Sequence, residues 1–300
     1  MIIVLKQIFI LYIFLLLGYF FGKRKAGLLN QTGILSFFLV NLFLPSKVFI
    51  TFSKNFTVSY LFENYTLIII SVSLLLFLHF LSIPLARLLS SDPYKRKVYE
   101  YSLTISNYAY IGYVLSEGIF GTEGLTNLIL FCIPFALYTY TVGYIKLTGS
   151  GDWRKRIINP MTVAIAGGII FGLTGISIPS ILSQVFSNAS ACVGPISMLL
   201  TGLTLSSFSW RELLLERNVY FLVILRLLFI PLVILGICRL FHLDAILPSA
   251  LLMACMPTGL NTIVFPKSIG KSPELGAKLA FISHLFSCVT VPLWLSILLK

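Results

Sequence analysis

Apolar residues gather along this chain in ten long blocks, separated by short polar or basic links. They fall at about 3–22, 33–52, 64–86, 98–121, 125–147, 159–176, 179–208, 218–240, 245–268 and 273–299. Most approach the ~20 residues that carry a helix across a bilayer core. Turn chemistry marks several edges. Phe120-Gly121-Thr122-Glu123-Gly124 predicts a tight hairpin between the fourth and fifth blocks. Gly175-Ile176-Ser177-Ile178-Pro179 predicts another between the sixth and seventh. Ser272 followed by Pro273 predicts an N-cap with proline in the first turn of the tenth block.

Composition turns these blocks into membrane spans. Of 300 residues, 58% are hydrophobic and 11% charged, so polar groups are too few to cover a soluble globule; ordinary soluble domains are about 25% charged. A cytoplasmic enzyme, a secreted domain and a disordered chain are therefore excluded. Ten spans use about 200 residues, leaving little for any extramembrane domain. The expected fold is an all-α polytopic membrane protein. The first block is apolar almost from its start, and its basic cluster, Lys23-Arg24-Lys25, follows it. A secretory signal peptide has the reverse order, so this block is expected to be a retained span with the N-terminus outside. The five cysteines, Cys132, Cys192, Cys238, Cys255 and Cys288, all lie in apolar blocks without metal-ligand spacing and are expected to be free thiols.

Charge sets orientation. Alternating the nine links and two tails between two sides puts 16 of the 22 Lys and Arg residues on one side. Lys and Arg collect in cytoplasmic links, so that side is expected to be cytoplasmic, with both termini outside the plasma membrane. The net charge of +12 is explained by this bias, and nucleic acid is not an expected partner.

The most hydrophilic link, Thr148 to Arg156, divides the chain near its midpoint. The halves are expected to be residues 1–148 and 159–300, each of five helices, joined by a cytoplasmic linker at 149–158. Matching features recur: Pro45 and Pro195, Pro84 and Pro231, Gly121 and Gly270, Asn107 and Asn261. With five spans per half, the second copy enters from the opposite side, which makes inverted repeats.

The fourth and ninth blocks carry the candidate chemistry. One contains Ser106-Asn107-Tyr108-Ala109-Tyr110-Ile111-Gly112, and the other Met256-Pro257-Thr258-Gly259-Leu260-Asn261-Thr262. Both put Asn, hydroxyls and Gly in the middle of an apolar stretch. Unwound backbone is tolerated there only when it is buried in protein or lines a polar cavity. Small polar residues also serve plain helix–helix contact, but their recurrence at matching positions of two halves points to a transport site near the midplane. The expected substrate-binding residues are Ser106, Asn107, Tyr108, Gly112, Pro257, Thr258, Gly259, Asn261 and Thr262, with Arg226 as the deeply placed charge that meets either the substrate or, as a structural group, backbone carbonyls or Glu100. Lys47 is expected to snorkel to the outer surface. Asn127, on the fifth block without a counterpart, is expected to be neutral to substitution. His79 and His284 are expected either to be satisfied interior histidines or to relay protons.

The stretch from Ser106 to Gly112, running on through Glu117-Gly118-Ile119-Phe120-Gly121, resembles the fourth span of the auxin efflux carrier family, within the bile acid/sodium symporter-like superfamily. That family includes plant PIN-type carriers and bacterial permeases of malate or malonate type. Asn41 to Pro45, Asn159-Pro160 with Gly167-Gly168, Gly194-Pro195 through Gly202, and Met256-Pro257 through Pro266-Lys267 agree in order and spacing. The resemblance implies ten spans in two inverted repeats, with interrupted spans four and nine crossing at the substrate site. It also implies a moving unit of spans three to five and eight to ten. Spans one, two, six and seven would be the scaffold and a homodimer contact. The family often has Pro after the Gly of the fourth span; here that position is Tyr113.

Acids are sparse in the spans: all three Asp lie in links, and Glu100 and Glu117 stand toward span ends. A carrier of organic cations needs an acid deep in the membrane, so the balance favours an anionic or neutral substrate; the expected one is a small organic anion, a carboxylate, meeting Asn side chains, the ends of the broken helices and Arg226. No cofactor is expected, and no P-loop supports direct use of ATP. Coupling to sodium or protons is expected. A membrane-embedded enzyme or a sensor is the alternative, and the sequence offers neither a nucleophile with a base nor an output domain.

Overall fold

The computed structural model describes residues 2–149, 158–209, 214, 216–269 and 271–299. Most of the 149–158 linker, and Gly270 with it, lies outside the described residues. Among those described there are helices and a single isolated β-bridge, with no strand. The helical runs are α1 (Ile2–Arg24), α2 (Thr32–Asn55), α3 (Val58–Leu89), α4 (Pro93–Thr104), α5 (Tyr108–Thr148), α6 (Pro160–Thr174), α7 (Ser180–Ser206), α8 (Arg217–Leu240), α9 (Leu247–Cys255), α10 (Asn261–Ser268) and α11 (Glu274–Leu298). Seven of them (α1, α2, α3, α5, α7, α8 and α11) are long and apolar enough to cross a membrane. The molecule is an all-helical polytopic membrane protein.

A straight α5 of 41 residues would run about 60 Å, twice the hydrocarbon core. It does not run straight. Gly121 has φ 67°, a left-handed value that glycine adopts freely. The Ser116 hydroxyl lies 3.5 Å from where a Cβ on Gly124 would stand, although eight residues of straight helix rise about 12 Å. The chain therefore turns back at Gly121.

Two groups of helices pack internally. In the first, α1 lies along α7, and α2 along α6 and α7. The contact of α1 with α7 is backbone to backbone: a Cβ on Gly202 would fall 1.9 Å from the Leu15 carbonyl oxygen. Small residues permit such approach where lipid supplies no hydrophobic drive between helices. In the second, α3 packs on α4 and α5, and α8, α9, α10 and α11 pack together. Prolines shape these helices locally. Pro231 cannot donate to the Leu227 carbonyl, and the Trp294 indole of α11 does so instead at 2.7 Å. Large apolar side chains such as Phe9, Phe62, Phe80, Leu88, Ile181 and Val289 face outward, where lipid tails rather than water suit them.

Candidate functional site

Two helices end in the interior of the molecule and meet there. Helix α9 ends at Cys255 because Met256 precedes Pro257, whose ring disfavours helical backbone before it. Met256 is accordingly extended, at φ −69° and ψ 147°. Helix α4 ends at Thr104, and Ile105 is extended ahead of Ser106 and Asn107, residues whose side chains compete for backbone partners. The two unwound segments run antiparallel and bridge at Ser106 and Thr258. The Asn107 amide donates to the Pro257 carbonyl at 2.7 Å. Each segment thus satisfies backbone that lipid could not. Beyond the crossing α10 begins at Asn261, and α5 begins with the π turn Tyr108–Gly112. The Tyr113 amide donates to the Tyr108 carbonyl to close that turn; proline at this position would have no N–H to give.

Side chains reinforce the crossing. The Ser106 hydroxyl donates to the Met253 carbonyl at 2.7 Å. The Ser283 hydroxyl, from α11, accepts from the Thr258 amide at 3.1 Å and stands 2.9 Å from the Thr258 hydroxyl. Asn107 Nδ2 lies 3.2 Å from His284 Nε2, and Asn261 Nδ2 donates to the Tyr101 hydroxyl at 3.2 Å. The Thr262 hydroxyl donates to the Gly259 carbonyl. Any Cβ on Gly259 would sit 3.4 Å from the Ser106 carbonyl oxygen, so the two segments touch where that side chain is missing.

The crossing lines a small cavity of about 30 Å³, walled in part by Ser106, Asn107, Tyr108, Gly259 and Asn261 with Tyr110, Tyr113 and Tyr140. A vestibule of about 410 Å³ adjoins it, lined by Thr32, Ser36, Asn41, Thr204, Phe265 and others, and sharing Tyr140 and Asn261 with it. Of the expected site residues, Ser106, Asn107, Tyr108, Gly259 and Asn261 thus meet at one place. Thr258 and Pro257 hold the crossing together, Thr262 caps back onto Gly259, and Gly112 is buried beside Met256. Sequence reasoning missed Tyr101, Tyr140 and Ser283; nothing in their local pattern sets them apart from ordinary span residues.

Arg226 falls on the structural side of its two expected roles. It is fully buried and lines neither cavity. Nη1 donates to the Leu103 carbonyl at 2.8 Å and Nη2 to the Met253 carbonyl at 3.4 Å, while Nε has no partner. These carbonyls belong to the last turns of α4 and α9, where unpaired oxygens and the helix dipole concentrate negative potential. In this arrangement the guanidinium clamps the two broken helices. One expectation needs correcting. Lys47 does not snorkel: it is buried on α2 and pairs with Glu117 of α5 at 2.5 Å. Asn127 accepts a hydrogen bond from the Tyr60 hydroxyl. His79 lies away from the crossing, 2.9 Å from the Tyr138 hydroxyl and beside the Lys146–Glu100 ion pair.

Helices of this length and apolarity, interrupted in pairs around a polar cavity, define a membrane transporter. The family described as "Membrane transport protein" matches residues 3–152 and 149–295, and the chain belongs to it, among the auxin efflux or PIN-like carriers. The chain is similar to an uncharacterized transporter of Methanocaldococcus jannaschii, 26% identical with 98% of each chain covered. It is also similar to an uncharacterized transporter of Methanothermobacter thermautotrophicus, 28% identical over 63% of each.

Proposed function

We propose that this protein is a secondary transporter that moves a small organic anion, a carboxylate by class, across the plasma membrane by alternating access. The observation that carries the reading is the crossing of two interrupted helices beside a cavity. The second helical halves, α10 and the start of α5, begin at that cavity, so their amide ends turn positive potential toward it. Tyrosine hydroxyls add donors.

Ten crossings in two inverted halves account for the architecture: α5 contributes two on either side of Gly121, and the pairs α4 with α5 and α9 with α10 each form one broken crossing. The division of packing supports a scaffold of α1, α2, α6 and α7 and a moving unit of the rest. Outward-facing Ile170, Ile181, Leu182 and Val185 on α6 and α7 offer the scaffold face through which a second copy would pack. With both termini outside, the vestibule opens to the cytoplasm, and the Lys47–Glu117 pair closes the opposite side.

The test is uptake of radiolabelled mono- and dicarboxylates into vesicles holding the purified protein. Saturable accumulation supports the reading. Chemical conversion of the added compound without accumulation would indicate a membrane enzyme, and binding with neither would indicate a sensor.

A further inference from the structure

We infer that His284 is the proton site of a proton–carboxylate symport, with Asn107 as the group that reads its protonation state. This rests on the organic-anion reading above and adds the coupling ion. The argument starts from one hydrogen bond. His284 Nδ1 lies 2.6 Å from the Ala280 carbonyl oxygen. A carbonyl only accepts, so Nδ1 carries a hydrogen. In the neutral ring Nε2 then has only a lone pair, and Asn107 Nδ2, 3.2 Å away, must donate to it. The amide nitrogen is committed to the ring, and the amide oxygen is the end left for the cavity that Asn107 lines.

A proton from water in the cavity forms an N–H bond at Nε2 and places one positive charge on the ring. Both Nε2 and Asn107 Nδ2 are then donors, and they cannot face each other at that distance. The Asn107 amide turns over. Its oxygen accepts from Nε2–H, and its NH2 group swings to the cavity. The two changes act in the same direction: a positive charge one side chain away, and donors in place of an acceptor, both favour a carboxylate. The anion in turn favours the proton. The loaded site carries no net charge from the pair, which lowers the cost of moving it through a low-dielectric interior. The titratable and charged groups bonded within a turn of the ring or to the crossing are Tyr12, Tyr101, Cys255, Cys288 and Arg226; Glu274 and Lys278 pair with each other nearer the start of α11, and Lys278 also meets Glu216. None bonds the ring: Tyr12 and Cys288 donate to the His284 backbone carbonyl, Tyr101 meets Asn261, Cys255 donates to the Leu252 carbonyl, and Arg226 meets the Leu103 and Met253 carbonyls. The imidazole therefore answers to Asn107 and the cavity.

The experiment measures thermal stability shifts of the purified full chain with pyruvate, lactate and glycolate, acids that stay ionised over roughly pH 5–8, the range of histidine switching. Apparent affinity should strengthen as pH falls, approaching tenfold per pH unit, with uptake of about one proton per carboxylate in weakly buffered solution. His284→Gln accepts from Asn107 but cannot charge; its binding should be weaker and flat with pH. Where that variant does not fold, ¹⁵N-histidine NMR of the parent serves: ligand-free His284 should be the neutral Nδ1–H tautomer and gain its second proton with ligand. Binding that is independent of pH in the parent, an Nε2–H tautomer, or a proton count of zero overturns the proton site and leaves the anion reading standing. No shift with any of the three acids at any pH overturns both.

Discussion

Asn107 and Asn261 both stand at the crossing yet answer to different partners, His284 and Tyr101. Leucine at either position keeps similar bulk but removes every polar atom. A polar group left unpaired in a buried site costs ~1–3 kcal/mol. Asn107→Leu and Asn261→Leu should therefore each lower vesicle uptake more than about tenfold, while Ser73→Ala on the exposed face of α3 stays near the parent. Uptake within twofold of the parent for both variants, at equal folded yield, would place the site elsewhere. Arg226 has a different role. Because its guanidinium holds the ends of α4 and α9 rather than the cavity wall, Arg226→Gln should lower the thermal midpoint and the folded yield, by about 2–4 kcal/mol of lost charge-assisted bonding. Arg226→Lys, which keeps the charge but not the fork, should fall between. A variant that folds like the parent but no longer transports would show that Arg226 meets the substrate in another conformation.

At the scale of elements, the informative contact is between α2 and α5. Lys47 is buried, whereas the Glu117 side chain is 47% exposed, so the pair spans a boundary between protein and an outer crevice. That crevice, about 100 Å³, is lined by Gln7, Val114, Glu117 and Gly194. In the proposed cycle α2 is scaffold and α5 moves, so the pair must part when the outer side opens. Glu117→Gln removes the carboxylate charge and leaves Lys47 uncompensated, a strongly unfavourable state for a buried cation. The variant should favour the open outer side. A cysteine at Val114 should then react several-fold faster with an impermeant thiol reagent than it does in the parent. An unchanged rate would mean that the pair is structural and does not gate.

Across the whole molecule, a carboxylate in the α7–α8 link ties one body together. Glu216 accepts from Lys95 of α4 at 2.9 Å and from Lys278 of α11 at 3.4 Å. Desolvation pushes its carboxyl up, but the two lysines together outweigh this and hold it below its ordinary value. A depressed carboxyl stabilises the fold at pH above its unfolded value, about 4.3 for Glu, and that contribution disappears as pH falls through the lower folded value. Glu216→Gln should thus flatten the acid limb of the thermal stability profile. The change should be small, below about 1 kcal/mol, because the group is partly solvated. An unaltered acid limb would remove Glu216 from this role. Topology is checked at the same scale. Tags at both termini should react with an impermeant reagent from outside, and a cysteine near Lys155 should not. Labelling of the termini from opposite sides excludes the five-plus-five arrangement.

Much of this protein was legible in the sequence because the bilayer imposes one-dimensional rules. A span must be apolar for the length of the core, so each of the seven long apolar helices falls on one or two of the predicted blocks. Pro257 announced one helix break by local sterics, and Gly121 the reversal within α5. The crossing pair was likewise readable, since Asn, hydroxyls and Gly recur in mid-block at matching positions of the two halves. Tertiary structure alone decided partners. Nothing local to Arg226 says that its donors find the Leu103 and Met253 carbonyls, 123 and 27 residues away in sequence. Nothing local to Lys47 says that a carboxylate 70 residues on lets it stay buried. Nothing local to His284 says that its ring meets Asn107, 177 residues earlier. Periodicity and hydropathy report the medium around each residue. The energy of a buried polar group depends on which partner comes within about 3 Å, and only the packed fold sets that distance.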